Sequence, residues 1–288
     1  METNQISKIG LVFSGGLARG AAQLSFAKQV IEKVGYERIK VLSASSIGSL
    51  NAYSVSCGTY EDMLSFYERF DCDSVKAFKL YIKSRLFNEV FQTVEKEEMR
   101  IPTYVTGTHI FDMDTFYFYL NDMNRSETKS ALNISMSFPL INGPRKSKGG
   151  MFFIDGGATD NVPVYPMQYF DLDMIIIFHC YPKYRPPRDI IKSGVIVIDV
   201  DVTLSLDKRI TSFSFSREAF AEMIEKARLA GKKFADYVFS SFDGSEVEKR
   251  CDKYRDQNIE ARGIKSKDNL MKLVDILNAL YSVKGYYP

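Results

Sequence analysis

A serine in a turn of small residues, an aspartate released by two glycines and a glycine pair opening a helix are the parts of a covalent acyl-transfer site. The serine is Ser46, within Ala44-Ser45-Ser46-Ile47-Gly48. This run matches the nucleophile elbow G-x-S-x-G except that Ala44 replaces the first glycine; the turn is too sharp for bulk two residues either side of the nucleophile. Only Ser46 has a glycine two residues on, so the register selects it, and Ser45 and Ser49 read as structural hydroxyls. A hydroxyl needs a neighbouring base to become a nucleophile. Asp155, in Asp155-Gly156-Gly157, is freed to project from a strand end. The third part is Gly15-Gly16-Leu17-Ala18-Arg19-Gly20. Glycines there let backbone N–H groups turn outward, and the helix start adds partial positive charge, which suits a developing oxyanion. A phosphate would suit the same loop, but the glycine spacing fits no dinucleotide fingerprint. Gly20 is followed by Ala21 rather than by the Lys-Ser/Thr of a P-loop. No nucleotide is expected. Taken singly, each segment is an ordinary turn; together they are far more specific.

The elements around these segments place all three at strand ends. Ile9–Phe13 is a short apolar run ending at Ser14-Gly15-Gly16, and Ala22, Phe26, Val30 and Val34 form a helical stripe in 18–34. Ile39–Leu42 is a second strand, and the elbow then leads into a helix running to Cys57-Gly58. This β-α-β-α rhythm predicts a parallel sheet with crossover helices. Helical character follows over 61–100 with a break near 71–74. Strands are predicted at Pro102–Thr106, Thr115–Tyr119, Met151–Ile154, Met174–Cys180 and Val195–Val200. A short helix is expected near Ser126–Asn133 and a loop over 141–150. From Arg217 to about Ser241, and from Lys265 to Val283, the chain reads as a helical cover.

The chain has 288 residues, 45% hydrophobic and 26% charged, enough for one sizeable core. A net charge of +2 gives no global attraction to nucleic acid. Cys57, Cys72, Cys180 and Cys251 form no C-x-x-C pair and read as reduced thiols, pointing to a cytoplasmic setting. Residues 1–8 carry no apolar signal-peptide core, and the longest apolar run, Met174–Phe178, is far below the roughly 20 residues of a spanning helix. The aspartate pairs Asp112/Asp114, Asp171/Asp173 and Asp199/Asp201 lack an EF-hand spacing, so no metal is expected.

The segments SGGLARGAA, SASSIGSLNA and FFIDGGATDNVPVYP resemble, in order and spacing, the signature blocks of the patatin-like phospholipases. Ser135-Met136-Ser137-Phe138-Pro139 is similar to the family segment before the D-G-G strand, and the resemblance runs over about residues 8–180. It implies a three-layer α/β/α fold with a mostly parallel sheet. No linker is obvious, so the chain itself reads as a single domain, 1–288, with a catalytic core over about 8–200 and a C-terminal helical extension over about 210–288. The resemblance also implies a serine lipid acyl-hydrolase of phospholipase A or lysophospholipase type with no cofactor. Ser46 would be the nucleophile and Asp155 its base. The loop of Gly15, Gly16 and Leu17 would form the oxyanion hole with Arg19 bracing it, and Gly48 and Gly156 would support the turns. Two departures stand out: Leu17 where the family usually has a third glycine, and Ala44 where it usually has its elbow glycine.

Two other readings remain open at this level. Ser46, Asp155 and His179 follow the chain order of an α/β-hydrolase triad, although only one strand precedes the elbow strand. A lipid- or protein-binding scaffold without hydrolysis is the non-enzymatic alternative. His109, beside Gly107, reads as a solvated turn residue. Finally, 75–94 reads as one helix, apolar along Phe78, Ile82, Leu86, Val90 and Val94, with Lys76, Lys79, Lys83 and Arg85 nearby. Such a helix is expected either to cover the sheet or to rest peripherally on a lipid surface.

Overall fold

The computed structural model describes residues 5–72, 87–94, 98–139, 142–182, 184–187 and 191–262. Residues 75–86 of the amphipathic helix and the predicted helix 265–283 lie outside the described residues. Among the described residues, eight strands form one sheet: β1 (Ile9–Phe13), β2 (Ile39–Ala44), β3 (Thr103–His109), β4 (Thr115–Tyr119), β5 (Arg145–Lys146), β6 (Phe152–Asp155), β7 (Met174–His179) and β8 (Ile196–Asp201). Their order is β5-β6-β3-β2-β1-β7-β8, with β4 paired to β3. The centre, β3-β2-β1-β7-β8, is parallel, and the antiparallel pairings gather at the β3 end.

The central strands are apolar on both faces because both are covered, as parallel sheets require. Side chains alternate along a strand. Leu11 and Phe13 of β1 and Ile176 and Phe178 of β7 therefore enter one large core, while Val12, Ile175 and Ile177 enter a smaller cluster behind the sheet. Helices α1 (Gly20–Val34), α2 (Ile47–Ser56), α3 (Tyr60–Arg69), α4 (Phe87–Val94), α5 (Arg125–Ser135) and α6 (Arg217–Val238) contribute buried residues to the large core. A 3₁₀ turn at Tyr165–Tyr169 and its flanks cover the other face through Val162, Val164 and Met167. α7 (Gly244–Arg262) lies along β8, where Arg255 donates to the Val197 carbonyl at 2.9 Å and so engages an otherwise open sheet edge.

Local signals explain the element ends. α1 stops where Gly35 takes a φ of +90°, open to glycine at little cost. α5 opens with a capping box between Asn124 and Glu127, and the Ser216 side chain caps α6. α6 crosses α1 closely, because a Cβ on Gly231 would stand 2.9 Å from the Phe26 carbonyl.

Three expectations need correction. β3 runs to His109 rather than stopping at Thr106, since Thr106 and Thr108 are β-branched and fully buried. The predicted loop 141–150 contains β5, a two-residue strand too short to show alternation. His109 is no solvated turn residue: it ends β3, its side chain is 14% exposed, and Nδ1 lies 2.7 Å from Asp112 Oδ1.

Candidate functional site

The sheet itself brings Ser46 and Asp155 together. A strand has two edges, and β4 occupies one edge of β3 across Tyr104–Thr108. β2 and β6 must share the other. β2 runs parallel to β3 and ends with Ala44 opposite Val105; β6 runs antiparallel and ends with Asp155 opposite Gly107. The two strands therefore approach head-on, with Thr106 between their ends. Gly156 fits there because a Cβ would lie 2.1 Å from Thr106 Oγ1 and 2.5 Å from its carbonyl oxygen.

Ser46 caps this meeting point at φ +53° and ψ −131°, a backbone conformation that side-chain-bearing residues rarely adopt. Its surroundings hold it there. Gly48 passes so close to β1 that a Cβ would lie 2.6 Å from the carbonyl oxygens of Phe13 and Ser14. Ser135 Oγ of α5 accepts from Ser46 N at 3.1 Å and lies 2.7 Å from Ser49 Oγ. Ala44 is accommodated as the last residue of β2, fully buried.

Ser46 Oγ donates to Asp155 Oδ2 at 2.7 Å, and Asp155 Oδ1 accepts from Gly157 N at 2.8 Å. Asp155 is 3% exposed. Burial pushes its carboxyl up to about 7, against the opposing pull of the Ser46 and Gly157 hydrogen bonds. His179 is engaged elsewhere. It is fully buried at the end of β7, with Nε2 3.4 Å from Asp199 Oδ2 and Nδ1 accepting from Tyr181 N at 3.2 Å.

The glycine loop lies directly over the serine, and a Cβ on Gly15 would be 2.9 Å from Ser46 Cβ. Within it, Gly15 N donates to the Asn161 carbonyl at 3.3 Å, Ala18 N to Ser212 at 3.1 Å and Arg19 N to Gly16 at 3.2 Å. Gly16 N and Leu17 N have no hydrogen-bond acceptor among the described residues. Leu17 sits at φ +50°, the left-handed region where glycine would be unstrained. Arg19 is 7% exposed, and its guanidinium donates through Nη2 to the Ile210 carbonyl at 3.0 Å, tying the loop to the segment before α6.

Several residues that hold the loop were not singled out in the sequence. Gln23 Nε2 donates to the carbonyls of Ser14 (3.1 Å) and Phe178 (2.9 Å), stitching the ends of β1 and β7 where the loop begins. Its Oε1 accepts from Asn51 Nδ2 at 3.1 Å; Asn51 Nδ2 also donates to Gly20 O at 2.9 Å, and Asn51 Oδ1 accepts from Tyr67 OH at 3.0 Å. Gln23 and Asn51 are fully buried. The available signal was a long amide inside the apolar run Gly20–Leu24, where burial demands a partner.

Ser46 lines a cleft partly open to solvent, together with Leu17 and Ile47. Apart from Ser46 and the hydroxyl of Tyr67, its lining is apolar, with Met63 and Phe66 of α3, Val90 of α4, and Phe138, Phe215 and Phe220 farther along the chain. Such a space suits a hydrocarbon chain. The aspartate pairs serve local roles: Asp112 accepts from Asp114 N, Asp173 accepts from Ser7 N and Lys8 N, Asp171 pairs with Lys8, and Asp201 caps Thr203.

A family model described as Patatin-like phospholipase matches residues 11–167, more than half the chain. No curated protein sequence matches. Among solved structures, the chain is similar to VipD from Legionella pneumophila, at 9% identity and a TM-score of 0.40, covering 97% of this chain and 86% of that one. It is also similar to the type III effector protein ExoU, at 14% identity and a TM-score of 0.43, covering 85% of this chain and 53% of that one. A third likeness is to the heterodimeric ExoU–SpcU complex of Pseudomonas aeruginosa, at 16% identity and a TM-score of 0.41, covering 98% of this chain and 65% of that one. The chain thus spans 53% and 65% of the second and third of these matched chains.

Proposed function

The chain belongs to the patatin-like phospholipase family, and from that premise we propose that it is a serine acyl-hydrolase that cleaves an ester bond of a lipid, of phospholipase A or lysophospholipase type, through Ser46 and Asp155. The observation that carries this reading is the 2.7 Å hydrogen bond from Ser46 Oγ to a buried carboxylate. Asp155 Oδ2 takes the hydroxyl proton as Oγ bonds to the ester carbonyl carbon. The carbonyl oxygen becomes an oxyanion, for which the amides of Gly16 and Leu17 are the available donors. Collapse breaks the bond to the leaving alcohol, which takes the proton from Asp155, and an acyl-serine remains. Water then gives its proton to Asp155, attacks the acyl carbon and releases the fatty acid, and Ser46 recovers its proton.

The carboxyl near 7 suits both halves of this cycle, because a general base works best with a pKa close to the working pH. The apolar cleft beside Ser46 supports an acyl chain as the recognised group. Arg19 acts as a brace through Ile210 rather than as an oxyanion donor. The core over 8–200 and the helices beyond 210 act as one domain, since Phe215 and Phe220 help line the cleft.

The test is hydrolysis of a short p-nitrophenyl ester and of a lipid panel. Ser46→Ala and Asp155→Asn should each lose at least about a thousandfold in turnover, with the double variant no worse, as residues acting as one unit are non-additive. His179→Asn, normalised to folded protein, should stay within a fewfold. Equal loss in the His179 variant would favour the triad, and absence of any hydrolysis by the native chain would favour a binding scaffold.

A further inference from the structure

Asn161 carries a side-chain amide beside both halves of the dyad, on a turn that is bolted to the sheet. Asp160 N donates to the Gly156 carbonyl at 2.9 Å, and the Asp160 carboxylate accepts from Tyr117 OH of β4 at 2.6 Å. Thr159 Oγ1 lies 2.8 Å from Thr108 Oγ1 of β3. The backbone reaching Asn161 therefore has little freedom. The Asn161 carbonyl accepts from Gly15 N at 3.3 Å, so this residue joins the turn after Asp155 to the glycine loop.

The Asn161 side chain fills the space between the two. A Cβ on Gly15 would stand 2.5 Å from Asn161 Oδ1 and 2.9 Å from Ser46 Cβ. A Cβ on Gly157 would stand 2.7 Å from the same Oδ1 and 3.0 Å from Asp155 Oδ1. Each glycine thus leaves room for the amide and for one member of the dyad at once. The amide oxygen is separated from Ser46 Cβ, and from Asp155 Oδ1, by no more than the space around one absent methyl group. Asn161 does not line the apolar cleft, so its contacts bear on the dyad rather than on an acyl chain. The Asp155 carboxyl is set by burial and by its hydrogen bonds from Ser46 and Gly157, and the neighbouring acid, Asp160, is engaged by Tyr117. An uncharged side chain at 161 keeps a second charge out of that environment.

We infer that Asn161 is a positioning residue of the acyl-transfer site: its neutral amide wedges between Gly15 and Gly157 and fixes how far the oxyanion loop stands from Ser46 and Asp155. The inference rests on the reading of Ser46 and Asp155 as the catalytic dyad. Without the wedge the glycine loop can settle toward the base, and Gly16 N and Leu17 N lose their alignment on the developing oxyanion. A carboxylate in the same place keeps the wedge but sets a like charge against Asp155 and the oxyanion.

The experiment compares wild type with Asn161→Ala, Asn161→Asp, Gly157→Ala and the Gly157→Ala/Asn161→Ala pair. Hydrolysis of p-nitrophenyl esters is followed over pH 5–9 and normalised to folded protein. Asn161→Ala should lose about ten- to a hundredfold in kcat, at or below the loss of a whole oxyanion donor. Its KM should move by less than threefold, and its preference among ester chain lengths should be kept. Asn161→Asp should move the acid limb of the kcat/KM profile up by about one pH unit or more, because a like charge raises the pKa of the base. Gly157→Ala should also lose activity, since its methyl meets the amide oxygen, and adding Asn161→Ala should cost less there than in wild type. Wild-type turnover in Asn161→Ala, an unshifted profile in Asn161→Asp, or additive losses in the pair would overturn the inference and leave the dyad in place. A native chain that hydrolyses no ester and takes no fluorophosphonate label would remove the dyad, and the inference with it.

Discussion

A carboxyl shut away from water keeps its proton to higher pH than one in solution, and Asp155 carries that cost in every folded molecule. Its carboxyl is pushed up to about 7 from an ordinary 3.8. Between these values the folded state holds a proton that the unfolded chain has released, so stability falls as pH rises through this window. Above about 7 the folded protein must hold a charged, buried carboxylate, at a cost of up to roughly 4 kcal/mol on a scale of about 1.4 kcal/mol per pH unit. Asparagine has no such charge and can still accept from Ser46. Asp155→Asn should therefore melt higher than wild type by several degrees at pH 8, and the difference should shrink toward zero near pH 4. Thermal melts of both proteins across that range test it; a difference that does not change with pH would contradict the burial account. Ser46 and Leu17 add backbone strain at the same spot, with φ of +53° and +50°. The site thus concentrates costs that the surrounding core offsets.

What offsets them is a set of elements joined by buried amides. Gln23 of α1 holds the carbonyls at the ends of β1 and β7, and Asn51 and Tyr67 fix Gln23 from α2 and α3. Gln23→Leu should take the amide donor from Ser14 O and leave Phe178 O with Ser14 N alone, letting the glycine loop relax. Turnover per active serine should drop by about ten- to a hundredfold with KM moved by less than threefold. Gln23→His, which can donate one hydrogen bond, should recover part of it. A variant that only loses thermal stability, with turnover per labelled serine intact, would reduce Gln23 to a packing role. This network was hard to read from sequence because its members come from three helices and its partners are backbone carbonyls. Strand ends were more legible: Ile9–Phe13 and Thr115–Tyr119 lie where apolar or β-branched runs meet turn residues. β5 was hidden by brevity. The head-on approach of β2 and β6 was not legible either, because strand order, unlike strand position, leaves no local trace.

Across the whole molecule, function depends on parts far apart in the chain. The segment matched by the family ends at residue 167, yet Phe215 and Phe220 line the cleft, Ile210 anchors Arg19, and Ser25 Oγ of α1 donates to the Ile224 carbonyl of α6 at 2.7 Å. The sequence read this region as a cover without a role, since helices announce their apolar stripe but not which wall they complete. The three candidate segments, by contrast, could be located from residue type and spacing because a sharp turn admits few residues, and the structure brings them together. On the proposed reading, Ser46 is the nucleophile and Asp155 makes it reactive. The most direct measurement is the intact mass of the protein after treatment with a fluorophosphonate, followed by peptide mapping and by labelling rates across pH 5–9. The proposed dyad should give a single adduct on Ser46, forming faster as pH rises through about 7, and almost none in Asp155→Asn. An unlabelled native chain, an adduct on another serine, or an undiminished rate in Asp155→Asn would contradict it.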